Sequence, residues 1–383
     1  MLGRIEDGSI TVVENGSARW YGSKSGPTVT VSLNDCGFWS RVLTSGSVGL
    51  GATYTEGMWE TDDLVGLITL LARNRRKLDR VLGPLAAASR LLAPLARHRA
   101  PSADEDRRNI SAHYDLGNEF FRLFLDPTLT YSCAYFADPQ ATLEEAQTAK
   151  LDRICQKLRL SPDDQVLEIG TGWGSFAVHA ASRYGCRVTT TTISQKQFSF
   201  ATERVRDAGL EGSVKVLDQH YRDLRGQYSK LVSIEMIEAV DWRLQEEFLQ
   251  VCERLLAPDG LAAIQAIVID DRNYEAARNR EDFIKHFIFP GGCLLSVTRM
   301  LEVVSKATSL RLANLEDIGD FYPPTLRRWR QALDARADEA RALGFDEQFL
   351  RMWRFYFAYC EGTFLEHATS DVQVVFAGPK RRG

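Results

Sequence analysis

One short run constrains the fold of this chain more than any other. Val166-Leu167-Glu168-Ile169-Gly170-Thr171-Gly172-Trp173-Gly174 leads an apolar segment into three glycines at alternate positions. The apolar part reads as a buried strand. Glycine tolerates positive φ and lets a ligand come close to the backbone. A helix starting just after such a loop points its unpaired N–H groups at whatever sits there. The flanking sequence continues the theme. Helices are expected at Leu143–Leu158, Phe176–Tyr184, Gln195–Ala208 and Leu244–Leu256, and strands at Arg187–Ile193, Leu231–Ile234 and Leu261–Ile269. That alternation predicts an α/β fold with a doubly wound sheet.

A chain of 383 residues has room for a smaller domain beside such a sheet. Residues 1–60 are rich in Gly, Ser, Thr and Val, with β-like runs such as Thr28–Val31. Residues 63–96 switch to helical leucine spacing, broken at Gly83-Pro84 and Pro94. Ten Lys/Arg against four Asp/Glu fall between Arg73 and Arg108. Basic residues beside an apolar stripe suit a membrane surface, and equally a packed helix with a solvated face. His98–Asp106 reads as a linker, so the expected domains are 1–105 and 106–383. The net charge of −4 argues against a polybasic nucleic-acid binder. No apolar run reaches the roughly 18–20 residues of a membrane span. The start MLGRIEDGSI lacks the apolar core of a secretory signal. Seven scattered cysteines without a CxxC pair suggest reduced thiols and no zinc module.

The glycine spacing is GxGxG, not the GxGxxG of dinucleotide binding. A nicotinamide site also wants an acid about 20 residues on. That region reads Thr189-Thr190-Thr191-Thr192-Ile193-Ser194-Gln195-Lys196-Gln197, without an acid. Its hydroxyl and amide groups suit ribose and adenine. The phosphate-loop pattern GxxxxGK[ST] is absent. A nucleoside without phosphates, such as S-adenosylmethionine, fits better than NAD or ATP. Its sulfonium favours nearby aromatic faces and carboxylates.

The ordered set of motifs resembles the cyclopropane-fatty-acyl-phospholipid synthase family over nearly the whole chain. The motifs are Gly57–Glu60, His113–Phe121, Thr130–Phe136, the glycine loop, Thr192–Gln197, Ser233–Val240, Asp282–Gly292 and Phe321-Tyr322. The resemblance implies a methyltransferase-type domain behind a smaller N-terminal lipid-engaging domain. It implies S-adenosylmethionine and an unsaturated phospholipid acceptor. By position, Tyr131, Ser132, Glu168, Gly170, Gly172, Gly174, Thr192, Ser194, Gln197, His220 and Tyr221 would touch the cofactor. A bicarbonate ion would serve as base, held by Cys133, Glu238, Gln265, the backbone at Ile267 and Tyr322. A metal is not implied. A homodimer is expected, working in the cytoplasm against the inner leaflet of the plasma membrane.

The implied chemistry places a methyl group on an alkene and leaves a carbocation, which must be shielded from water. Tyr114, Phe120, Phe121, Tyr131, Tyr135, Phe287, Phe289 and Tyr322 could supply aromatic faces, or simply pack. A base then removes a proton. Ring closure gives a cyclopropane; a hydride shift first gives a 10-methylene chain, which a separate flavin reductase could saturate. The sequence leans to the methylene branch. Glu235 competes with Glu238 as the site carboxylate, and the local match favours Glu238. Cys133 could act as a thiolate nucleophile, although an anion-site ligand is the preferred reading. Gln265 stands where many members have His and cannot relay protons near neutrality. His220 stands where Asp or Gly is common. Two other readings stay open: methylation of a soluble small molecule, and a non-catalytic nucleoside-binding protein at a lipid surface.

Overall fold

The computed structural model describes residues 2–78 and 116–381. Packing divides the chain into two units. One gathers the described part of residues 1–99 with 280–290 and 326–369; the other holds the described part of 100–279 with 291–325 and 370–383. These units cut the chain at other places than residue 105.

The first unit carries a four-stranded sheet in the order β2-β1-β3-β4. Its strands are β1 (Ser9–Glu14), β2 (Ser17–Gly22), β3 (Thr28–Leu33) and β4 (Trp59–Thr61). Helices α1 (Phe38–Thr55) and α2 (Leu64–Arg73) belong to it, with the long helix Glu347–Leu365. The Asp63 side chain caps α2 by accepting from the Gly66 N–H. Trp59 is wholly buried, and its Nε1 donates to Thr53 Oγ1 at 3.0 Å. Tyr54, Phe355 and Phe283 continue this aromatic layer. Of the basic cluster, the described Arg73 pairs with Glu366 and Lys77 with Glu6. The rest of the 79–99 stretch, the 98–106 linker and His113–Asp115 lie outside the described residues.

The second unit is built on a seven-stranded mixed sheet in the order β10-β11-β9-β8-β5-β6-β7. The strands are β5 (Gln165–Ile169), β6 (Arg187–Thr192), β7 (Val214–Asp218), β8 (Tyr228–Ile234), β9 (Leu256–Ile269), β10 (Arg311–Asp317) and β11 (Thr369–Ala377). The central strands β7, β6, β5, β8 and β9 run parallel; β10 pairs antiparallel with β11. Helices α3 (Leu143–Leu158), α4 (Ser175–Tyr184), α5 (Gln195–Asp207), α6 (Gln245–Leu255) and α7 (Val297–Ala307) alternate with the strands or follow them. A capping box at Thr142 and Glu145 starts α3. Val166, Leu167, Val188, Leu231, Val232 and Ala262 are almost wholly buried, as central parallel strands require.

Strand order reverses beside β5. The chain moves outward from β5 through β6 to β7, then returns to place β8 and β9 on the other side. Loops leaving β5 and β8 therefore diverge, and the gap at such a switch point is where open α/β sheets hold ligands. A second device positions the far wall. Ile318 N–H donates to the Asp371 carbonyl at 2.7 Å, docking the turn after β10 onto β11. Gly319 lies so close that a Cβ there would sit 2.0 Å from Ser370 Oγ and 3.0 Å from Asp371 N. Tyr322 follows at once and begins the helix Tyr322–Ala335, with Pro323 and Pro324 in the first turn, where no intrahelical N–H is needed. The sequence suggested only a rigid segment here.

Gly319→Val should therefore lower the stability of the whole protein by about 1–3 kcal/mol in urea denaturation, as an overpacked contact does. Gly212→Ala, where a Cβ meets nothing within 4 Å, should stay within about 0.5 kcal/mol.

Candidate active site

The glycine loop folds as its sequence demands. Gly170, Gly172 and Gly174 have φ of 102°, 52° and 85°, values that L side chains rarely adopt. Gly170 and Thr171 both donate their N–H to the Thr191 carbonyl, and the two hydroxyls of Thr171 and Thr190 lie 2.7 Å apart. The loop is thereby tied to the end of β6. Trp173 is buried behind it; its Nε1 donates to Asn118 Oδ1 at 2.9 Å, and its ring lies 4.9 Å from Phe121. Phe121 in turn sits 5.5 Å from Tyr131.

Glu168 is buried at the end of β5, and its Oε2 takes no hydrogen bond. Burial pushes its carboxyl up to about 8, against the opposing influence of Thr190 and Lys150. A buried acceptor left open at the switch point is the kind of group that a ribose hydroxyl would satisfy. At the end of β6, Thr192 Oγ1 donates to Gln197 Oε1 at 2.8 Å and accepts from the Ser194 N–H at 3.1 Å. Ser194 caps α5. His220 and Tyr221 follow β7 with their rings tilted against each other, centroids 4.6 Å apart; the His220 ring accepts from the Arg222 N–H. Tyr131 and Ser132 lie on the segment leading to Cys133. The residues carried over for the cofactor thus line the ends of β5, β6 and β7 together with this segment. They bring hydroxyl, amide and aromatic groups to these strand ends.

A denser cluster lies at the ends of β8 and β9. Its centre is Glu235. Tyr322 Oη donates to Glu235 Oε2 at 2.6 Å. Glu235 Oε1 accepts from the Cys133 backbone N–H at 2.7 Å and from Gln265 Nε2 at 2.8 Å. Gln265 Nε2 also donates to Asp371 Oδ2 at 2.8 Å, while its Oε1 accepts from Gln373 Nε2 at 3.0 Å. Glu238 takes the Ile267 backbone N–H on Oε1, and its Oε2 is sealed without a partner. Glu238 is half-buried as a residue, with the carboxyl as its buried end. Burial first, then the charge of Glu235, push its carboxyl up to about 8. Burial first, then Glu235 and Glu238, push Asp371 well above the ordinary carboxylate range.

The resemblance assigned Cys133, Gln265, Ile267 and Tyr322 to a bicarbonate ion together with Glu238. The structure does bring these residues together. Their donors, however, are engaged by the chain's own carboxylates: Glu235 holds Tyr322 Oη, Cys133 N–H and one hydrogen of Gln265, Asp371 holds the other, and Glu238 holds Ile267 N–H. Bicarbonate does not fit this donor set. The competing carboxylate of the sequence reading, Glu235, takes the bonds.

Cys133 is wholly buried, and burial followed by the charges of Asp371 and Glu235 pushes its thiol well up. It is a poor thiolate, and its backbone N–H serves the cluster instead. Sequence reasoning passed over Asp371, Gln373, Gln147 and Lys150. Buried Lys150 donates to Ser132 Oγ at 2.7 Å, and Gln147 donates to the Thr130 and Ser132 carbonyls, holding the Tyr131–Cys133 segment. Each had a readable signal. Asp371 and Gln373 are polar residues two apart in an apolar strand, so they share one face. Gln147 and Lys150 are polar residues three apart that interrupt the apolar stripe of α3. Of the aromatic candidates, Tyr114 lies outside the described residues, and Phe287 and Phe289 belong to the first unit. Phe120 and Phe121 are core residues beside the cofactor loop.

The mycolic acid cyclopropane synthetase family matches residues 101–374. Tuberculostearic acid methyltransferase UfaA1 of Mycobacterium tuberculosis is 38% identical over 333 residues, 85% of this chain and 77% of that protein. Cyclopropane-fatty-acyl-phospholipid synthase of Escherichia coli K12 is 36% identical over 349 residues, 89% of this chain and 85% of that protein. Among solved structures, mycolic acid cyclopropane synthase CmaA1 complexed with SAH and CTAB matches with a TM-score of 0.66 and 32% identity, covering 71% of this chain and 98% of that one. Coclaurine N-methyltransferase, at 21% identity and a TM-score of 0.64, shares the fold.

The raised carboxyl of Glu168 sets a pH dependence. The folded protein keeps a proton that the unfolded chain releases above about 4.5, so stability falls as pH rises from about 4.5 to about 8 and levels off beyond. Glu168→Gln should flatten that slope in thermal unfolding of the ligand-free protein across pH 5 to 8, with Glu238 and Asp371 contributing to the slope that remains.

Proposed function

Because the chain belongs to the mycolic acid cyclopropane synthetase family and is an S-adenosylmethionine-dependent methyltransferase, we propose that it methylates the cis double bond of an oleoyl chain in a membrane phospholipid and forms a 10-methylene-branched chain. The observation that carries this reading is a base-type cluster touching a nucleoside loop. Ser233 Oγ donates to the Ile169 carbonyl at 3.0 Å, and a Cβ on Gly170 would lie 3.1 Å from Met236 Cγ. The turn that carries Glu235 and Glu238 therefore packs directly on the loop after β5.

S-adenosylmethionine supplies an electrophilic methyl group when bound. The Gly170–Gly174 loop, Glu168, Thr192, Ser194, Gln197, His220, Tyr221, Tyr131 and Ser132 would hold it. An alkene that accepts a methyl becomes a cation and must then lose a proton. A carboxylate cluster at that place supports the acyl-chain reading over methylation of a soluble small molecule, because proton loss from carbon needs a base held close to the cation. A nucleoside sensor has no use for a buried carboxylate cluster. A hydride shift before proton loss leads to the methylene product; closure without it leads to the ring. The similarity to a tuberculostearic acid methyltransferase favours the methylene outcome.

Under this reading, residues 1–105 engage lipid and 106–383 carry the transfer. The enzyme works as a homodimer on unsaturated phospholipid at the cytoplasmic face of the plasma membrane, and a separate flavin-dependent reductase saturates its product. Among the described residues, no helix is long and apolar enough to cross a membrane, which is compatible with attachment from one side.

Purified protein given methyl-labelled S-adenosylmethionine and oleoyl-phosphatidylglycerol vesicles should place label in the acyl chain, with a mass gain of one CH₂ and vinylidene proton signals. High-field ring protons would replace the methylene product with a cyclopropane. Label only in added soluble acceptors would overturn the lipid reading.

A further inference from the structure

We propose that Glu235 is itself the catalytic base of this enzyme, a built-in carboxylate that occupies the place of an exogenous bicarbonate. The inference rests on the methyl-transfer reading above. It is carried by the saturation of the cluster. A bicarbonate base needs N–H and O–H donors to hold its oxygens, and every candidate donor here already points at a protein carboxylate. Tyr322 Oη and the Cys133 N–H have one hydrogen each, and both go to Glu235. Gln265 has two on its amide nitrogen, shared between Glu235 and Asp371. An incoming anion would find these three groups and the Ile267 N–H already engaged by protein carboxyl groups.

The backbone at this position supports the same assignment. Glu235 has φ of 46°, a left-handed conformation that is unusual for a non-glycine residue and is kept where surrounding contacts dictate it. The conformation turns the side chain back into the cluster, and the Glu235 N–H is tied to the Gln265 carbonyl at 2.9 Å. Neighbouring groups also divide the charge. Glu238 and Asp371 are both pushed towards their neutral forms by burial and by the charge on Glu235. The hydrogen bonds of Tyr322, Cys133 and Gln265 orient the Glu235 carboxylate.

In the step assigned to it, Glu235 takes a proton from the methyl group added to the acyl chain, after the hydride shift. The C–H electron pair becomes the π bond of the methylene group, and the carbocation is neutralised. Glu235 leaves this step as the acid and returns the proton to water after product release. No oxidant or further co-reactant is required. Gln265, which cannot titrate near neutrality, positions the base rather than sharing its proton.

The test compares the wild type with Glu235→Gln and Glu235→Gly in carbon-dioxide-depleted buffer, with and without added bicarbonate. Glycine tolerates the left-handed backbone, so Glu235→Gly removes the carboxylate without straining the turn. Wild-type turnover on oleoyl vesicles should change less than about twofold on adding bicarbonate. Glu235→Gln should lose about 100-fold or more in kcat, the range of a general base, while S-adenosylmethionine affinity by calorimetry stays within about threefold. Glu235→Gly should be equally impaired and should recover with bicarbonate or formate, which can enter the emptied space. A readout independent of turnover is ¹³C-bicarbonate NMR: the signal should broaden with Glu235→Gly and not with wild type. Wild-type turnover that requires bicarbonate, bicarbonate binding to wild type, or Glu235→Gln within about threefold of wild type would each overturn the assignment. Failure of the wild type to label lipid would instead strike the methyl-transfer reading, and the ¹³C measurement would still decide who occupies the anion place.

Discussion

Three separate stretches of chain meet on one carboxylate carried by a fourth. The Cys133 backbone, the β8 turn that carries Glu235, Gln265 on β9 and Tyr322 at a helix start are joined by hydrogen bonds to Glu235, and Gln265 extends the network to Asp371 on β11. Buried polar groups are costly when left unpaired and rigid when fully paired. Here the pairing ties the Cys133 segment and the Tyr322 helix start to the ends of strands already joined in the sheet. The docking of Ile318 on Asp371 and the close approach at Gly319 bring Tyr322 into this network.

The cluster draws its chemical meaning from its place at the switch point. The β5 loop and the β8 turn diverge there, yet Met236 closes on Gly170 and Ser233 bonds the Ile169 carbonyl. The glycine loop and the Glu235 cluster are thus built from adjacent strand ends of one sheet. Burial raises both Glu168 and Glu238 to about 8, so each carboxyl is set by its own surroundings. Glu168 lies deep at a strand end with one oxygen open; Glu238 is held by a backbone N–H. A protein that needs only to bind a nucleoside has no reason to carry the second group.

Much of the sheet was legible. The predicted helix Leu143–Leu158 forms over those residues, and the strands around Val166, Val188 and Leu231 fall where the apolar runs placed them. Local pattern suffices there because each element buries its own periodic face. The glycine loop was legible for the same reason, since three alternate glycines signal positive φ directly. The gathering of Cys133, Gln265, Ile267 and Tyr322 followed from resemblance and not from spacing. Asp371, Gln373 and Lys150 were missed because each carries meaning only beside partners more than a hundred residues away, or in a segment with no motif of its own. Residues 280–290 and 326–369 join the first unit for a reason equally invisible in linear order: their apolar faces find partners by folding.

By itself the sequence determined the alternating elements, the glycine turn and the absence of a ribose-binding acid after β6, because these depend on short-range periodicity and backbone freedom. It also carried the family resemblance. Only the tertiary structure decided between Glu235 and Glu238 as the centre of the cluster. Both carboxylates leave the same short turn three residues apart, and the local match favoured Glu238, the one that does not take the bonds. The ranking comes from which one meets the hydroxyl, amide and backbone hydrogens delivered by distant segments. Those hydrogens converge only when the strands, the Gly319 contact and the helix start at Tyr322 are in place together.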